Sequence, residues 1–213
     1  MNMGFYTLFS YSWAASDFTP FAALFAVLPY ADSFCDDYNS GYSTAITILL
    51  GVDKYSFRRA ISVAISGGIV MAILVMITIV VCDLFSNSPD VPDNTDFMFN
   101  TIWAKMGILF LYNGLVFKTL KVLVAFLFGS LWALVGLAIS TVVINKYVTN
   151  IAPFVLYQII WFLLPEQRWN PVYLLRADSN FIPSLWFVLL YQGSLIIVFF
   201  TLSVLGIRRR IKI

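Results

Sequence analysis

Residues 61–82, ISVAISGGIVMAILVMITIVVC, carry no charge and as a helix are long enough to cross about 30 Å of hydrocarbon. Composition turns this local fact into a global one. Of 213 residues, 61% are hydrophobic and 11% are charged, against about 25% charged in soluble domains. Mean hydropathy is +0.87. A fold of this size cannot hide so much apolar surface from water, so the bilayer is the solvent. The fold class that follows is all-α: a polytopic helical membrane protein forming one transmembrane domain over residues 1–213.

Several chemistries are excluded at the outset. Histidine is absent, which removes the commonest metal ligand and general base. No metal site and no catalytic residue is expected. A net charge of +2 gives no reason to expect nucleic acid. There is no Walker A, GxGxxG or HExxH pattern, so any ATP hydrolysis must come from another chain. Cys35 and Cys82 lie near the ends of apolar runs on opposite faces and are not expected to pair.

Residues 1–16 are uncharged and aromatic. They read as the tail of an earlier span or as an interfacial aromatic belt, not as a secretory signal. Residues 18–34 form the first candidate span, with Pro29 predicting a kink and Asp32 placed near a face or in a cavity. Residues 36–59 make a polar elbow. Within it Ala45, Ile46, Leu49 and Leu50 follow helical spacing, and Gly51 can end that short helix. In the 61–82 span, Ala60, Ala64, Gly68 and Ala72 recur every fourth residue, with Gly67 beside them. Such a stripe lets helices approach closely, either within the protein or against a second subunit.

Residues 83–101 form an acidic, proline-containing loop that fits the outer face. Residues 102–117 are too short to span and read as a re-entrant or interfacial half-helix, so residues 83–121 are expected outside. Residues 122–144 are the second clear span, with Gly129, Ala133 and Gly136 as its small stripe. Residues 151–164 follow at once, predicting a tight hairpin. Residues 181–207 are the last span, and the chain ends in RRRIKI. Five full spans are thus expected, and six in a complete chain with one more N-terminal span.

Orientation follows the positive-inside rule. It puts the C-terminus, the elbow and residues 145–150 in the cytoplasm, with Lys54, Arg58, Arg59, Lys146, Arg208, Arg209, Arg210 and Lys212. Lys105, Lys118, Lys121, Arg168 and Arg176 fall outside.

The segment PYADSFCDDYNSGYSTAITILLGVDKYSFRRAISVAISGG resembles the permease subunits of bacterial type-2 ABC exporters. The features are Pro29 and Tyr30, the acids Asp36 and Asp37, the Ser40–Gly41 turn, the short helix around Ile46 to Leu50, then Lys54, Tyr55 and Arg58. LWALVGLAISTVVINKYVTNIAPF is similar too. The resemblance implies a six-span subunit in the bacterial cell membrane, paired with itself or a paralogue. It also implies a cytoplasmic ATP-binding-cassette subunit that holds ATP and Mg. The elbow helix would be the coupling helix, with Asp36, Asp37, Gly41, Tyr42, Ile46, Leu49, Leu50, Gly51, Asp53, Lys54, Tyr55 and Arg58 as its coupling residues. The apolar face is expected at Ile46, Leu49 and Leu50, and the charged rim at Asp36, Asp37, Lys54 and Arg58.

The residues leave other functions open. A solvated loop with an interfacial helix would look alike. A secondary transporter or channel would need polar groups within its spans, and Asp32 and Gln192 are the candidates. An intramembrane enzyme lacks its constellation, and a scaffold without an ATPase partner remains. Spans rich in Phe, Tyr, Trp and Met suit an amphipathic or lipid-like cargo better than an inorganic ion; that the cargo is a hydrophobic peptide or antimicrobial compound is what the resemblance to the exporter permeases implies.

Overall fold

Helices account for every regular element that the computed structural model describes, which covers residues 5, 8, 9, 12, 18–86, 114–164, 169–175 and 185–211. In chain order these are α1 (Phe18–Val27), α2 (Ser33–Asn39), α3 (Tyr42–Leu50), α4 (Val52–Phe85), α5 (Gly114–Val142), α6 (Lys146–Leu163), α7 (Pro171–Leu175) and α8 (Leu185–Ile211). Among the described residues, α4, α5 and the 187–211 stretch of α8 are long and apolar enough to cross a membrane. They make the chain a membrane protein.

α5 is the axis of the bundle. Residues 131–137 are buried on every side, and α1, α4, α6 and α8 all pack against it. A helix apolar around its whole circumference belongs in this central place. α4 runs antiparallel to α5, and at Gly67 and Gly129 the two backbones meet directly. A Cβ on Gly67 would sit 2.8 Å from the carbonyl oxygens of both Ala26 and Gly129. A Cβ on Gly129 would run into the Gly67 backbone and lie 2.8 Å from Met71 Cγ. Lipid gives helices no hydrophobic reason to associate, so close backbone approach of this kind is what joins them.

At 34 residues, α4 is about 51 Å long, far more than about 30 Å of hydrocarbon. One end of it must project. Its first turns carry the elbow, α2 and α3. Arg208 on α8 pairs with Asp53 at 3.1 Å, and Arg210 donates to the Val142 carbonyl at 2.9 Å. The start of α4 and the ends of α5 and α8 therefore share one end of the bundle. At the far end Lys118 pairs with Asp83 at 2.7 Å. Phe9 packs edge-on to Phe117 there, 5.8 Å between ring centroids, and both Phe5 and Phe9 belong to the core.

Residues 18–34, expected as one span, do not form a single helix. α1 stops at Val27 and a turn covers residues 28–32. Pro29 has no N–H to continue the ladder, and the chain turns through Ala31 N to Val27 O and Ser33 N to Tyr30 O. α6 also departs from expectation. It begins at Lys146, not at 151, with the Asn145 side chain accepting from Tyr147 N and Val148 N as its cap. Its polar residues face α1: Tyr157 donates to the Thr19 carbonyl at 2.7 Å and Gln158 to the Pro20 carbonyl at 2.8 Å. These groups lower its hydropathy, and it is not among the three helices fit to cross a membrane by length and composition. The expected half-helix at 102–117 lies outside the described residues up to 113, and Gly114 to Phe117 belong to α5 itself, which starts before the expected 122. The description supports three long apolar helices, not a count of five.

Candidate functional site

The elbow is built from two glycines and one arginine. Gly41 precedes α3 with φ +73° and Gly51 follows it with φ +80°. Gly41 is left-handed helical, a conformation that costs an L-residue about 1–2 kcal/mol, and Gly51, with ψ 148°, lies in a positive-φ extended region that is essentially reserved for glycine. A Cβ at either glycine would meet nothing within 4 Å, so the requirement is conformational and not one of space. The two reversals fold α3 back beside the start of α4.

Arg59 then locks α2 to α4. Its Nη2 pairs with Asp37 at 2.5 Å and donates to the Ser33 carbonyl at 2.6 Å. Its Nη1 donates to the Tyr30 hydroxyl at 2.6 Å. Tyr55 donates to the same Asp37 carboxylate at 2.6 Å. The Arg59 and Asp37 side chains are only 11% and 15% exposed, so their hydrogen bonds stand largely apart from competing water. α2 is tied on its other side to α6. Asn150 donates to Asp32 at 3.2 Å, and the Cys35 thiol meets the Thr149 hydroxyl at 3.5 Å. Burial pushes the Cys35 thiol up from its ordinary value, Asp32 and Asp36 push the same way, and the Thr149 hydrogen bond opposes them. Cys35 is a packed thiol. Cys35 and Cys82 are both free and sit at opposite ends of the bundle.

The coupling residues expected from sequence occupy different places. Asp37 and Tyr55 belong to the inner network, and Gly41 and Gly51 are the two reversals. Asp53 is paired to α8. Asp36 and Lys54 are exposed. Tyr42, Ile46 and Leu50 turn toward α4, where with Tyr55, Arg58 and Ser62 they border a cavity of about 210 Å³. Leu49 points out at 83% exposure, and its neighbour Ile48 at 81%. The apolar face that α3 offers to its surroundings is thus Ile48 and Leu49, not Ile46, Leu49 and Leu50. Arg59, Tyr30 and Ser33 complete the network outside the expected coupling set. Arg59 stood out only as one of two adjacent cations.

The packing residues are distributed as follows. Ala60 is buried on α4, while Ala64 and Ala72 are half-buried. Gly68 faces the Ser130 hydroxyl and the Phe126 ring, Gly129 faces Gly67, and Gly136 lies against Ala31, Val27 and Pro153. Ala133 is buried and its Cβ faces Gly67. Gly67, beside the expected stripe, makes the tightest approach with Gly129.

Among the described residues, charge is unequal between the two ends. Lys54, Arg58, Arg59 and Arg208 to Arg210 gather at the elbow end, with Lys146 at the α5–α6 turn. Lys118 and Lys121 are the described cations at the far end, and Asp83 neutralises Lys118. Gln192 is buried on α8 with neither amide atom hydrogen-bonded. Among the described residues, no group of three or more His, Cys, Asp or Glu side chains is arranged to hold a metal. Comparison with protein-family models, curated proteins and solved structures found no match.

Proposed function

We propose that this chain is the membrane-spanning permease subunit of an ATP-driven exporter in a bacterial cell membrane, with α3 as the element that engages a separate ATPase. The observation that carries the reading is the elbow. A helix meant to transmit a push must be joined rigidly to the spans and must keep an apolar face free for its partner. α3 is clasped between two glycine reversals beside the Arg59–Asp37 lock, and Ile48 and Leu49 stand clear of the bundle. The excess of cations at this end among the described residues supports a cytoplasmic elbow and C-terminus under the positive-inside rule. In this reading ATP and Mg belong to the partner ATPase, and a second permease subunit, identical or paralogous, completes the pathway. The cargo is a hydrophobic or amphipathic compound, such as a peptide or antimicrobial.

The test is extraction from the native membrane in gentle detergent, followed by mass spectrometry of what accompanies the chain. A stoichiometric subunit carrying a Walker A motif supports the proposal. A chain that emerges alone or only with itself sinks it. That outcome favours the second reading, in which Ile48 and Leu49 insert into the membrane surface as an interfacial helix.

A further inference from the structure

We propose that the cavity between α3 and α4 is a binding site for the phosphate headgroup of an anionic phospholipid, with Arg58 as the receiving charge. The site stands apart from the ATPase reading, because it uses the inward face of α3 and not Ile48 and Leu49.

The cavity measures about 210 Å³. One wall is apolar, from Ile46 and Leu50. The other carries Arg58 and Ser62 from α4, and Tyr42 stands at the start of α3. The two arginines at the cavity have different standing. Arg59 is neutralised by Asp37. Arg58 is exposed and makes no ion pair or hydrogen bond among the described residues. The hydroxyl of Tyr55 is already given to Asp37. What is left over is one guanidinium, with the Tyr42 and Ser62 hydroxyls on the same cavity. That donor set matches a phosphodiester: a guanidinium holds two phosphate oxygens at once, and the hydroxyls supply further donors.

The helix face that bears this set says what the phosphate is attached to. Arg58 and Ser62 are followed by Ile65, Ile69, Ile73, Met76 and Val80, all exposed and spaced three or four residues apart. Residues so spaced share one face of a helix. α4 is long and apolar enough to cross the membrane, so this face carries a cationic head site at the elbow and an apolar track directly below it. A free phosphate would use the head site alone, whereas a phospholipid uses both. The headgroup is anionic and not zwitterionic, because an ammonium group would find only Asp37 on the cavity wall, already engaged by Arg59 and Tyr55.

The test is lipid binding by the full chain, purified in detergent and stripped of lipid, with bound lipids counted by native mass spectrometry. Wild type is expected to hold one phosphatidylglycerol in preference to phosphatidylcholine of the same acyl chains. Arg58→Gln is expected to weaken that binding about tenfold, the equivalent of 1.4 kcal/mol. Ser62→Phe, which fills the cavity and keeps the charge, should do the same. Lys54→Gln, at an exposed cation that does not line the cavity, should leave it unchanged. Both Arg58 and Ser62 are exposed, and a thermal melt checks that each variant is folded; should Arg58→Gln fail to fold, Ser62→Phe decides. Unchanged phosphatidylglycerol binding in the folded variants overturns the proposal. So does equal loss in Lys54→Gln, which would mean diffuse attraction. Displacement of the lipid by glycerophosphate at equal concentration also overturns it, in favour of a site for free phosphate esters.

Discussion

The α4–α5 seam and the elbow hold the same helix, α4, by opposite means. At the seam no polar side chain is needed: Gly67 and Gly129 remove their side chains so that two backbones touch. At the elbow Phe34, Cys35 and Ser56 are buried as well, but Arg59, Asp37, Tyr55 and Tyr30 fix the geometry through directional bonds. The difference follows the solvent. In lipid, shape complementarity remains after hydrophobic drive has gone. Where α4 projects toward water, position must come from hydrogen bonds and special backbone angles. The seam should therefore be sensitive to volume, and the elbow to charge and φ.

The largest effect is expected at the seam. Gly129→Leu should destabilise by about 3 kcal/mol or more, because overpacking here meets backbone and not a movable side chain. Loss of the monodisperse peak in size-exclusion chromatography would report it. Ala72→Leu, on the stripe but half-buried, should change the melt by less than about 1 kcal/mol. Equal damage from both would break the distinction between the Gly67–Gly129 contact and the rest of the small-residue stripe.

Arg59→Met comes next. It leaves Asp37 mostly buried without its cation and should cost about 3 kcal/mol. The elbow should loosen before the bundle does, so maleimide should label Cys35 faster while Cys82 stays protected. Faster labelling of both would show that the elbow and the seam are one cooperative unit. Gly41→Ala should cost about 1–2 kcal/mol, again read at Cys35. Lys118→Ala removes a partly exposed pair at the far end and should shift stability by about 0–1 kcal/mol. The smallest effect on the melt is expected from Ile48→Asp with Leu49→Asp, within about 0.5 kcal/mol. That variant should still lose the ATPase from the native-membrane extract. Retention of the ATPase would refute α3 as the coupling element.

Much of this was legible in the sequence. The uncharged runs mark the long helices, and Gly51 marks the end of α3. Asn145 follows the end of the α5 run and opens the short connection to α6. What escaped has physical causes. A four-residue repeat advances about 400° around a helix of 3.6 residues per turn, so the stripe from Ala60 to Ala72 drifts by about 120° and leaves the contact face. The contact line instead runs through Ala60, Val63, Gly67, Met71 and Val75. On α3, apolar residues occur on both faces, so spacing alone could not say that Ile46 and Leu50 turn inward and Ile48 and Leu49 outward. The break after Val27 depends on whether Pro29 kinks or ends the helix, which tertiary contacts decide. Residues 151–164 read simply as a span, and nothing in their pattern named the partner to which Tyr157 and Gln158 attach, which is α1.

The contacts of Arg208 with Asp53 and of Arg210 with Val142 have a practical consequence for anyone handling this protein. They bring the tail of α8 to the same corner as the elbow. A bulky fluorescent protein or affinity resin attached beyond α8 would leave the bundle at the end that carries the elbow. It would shield the surface that a pull-down is meant to sample. An epitope inserted elsewhere keeps that corner open, and comparing the two placements separates a partner that is missing from one that was merely kept away.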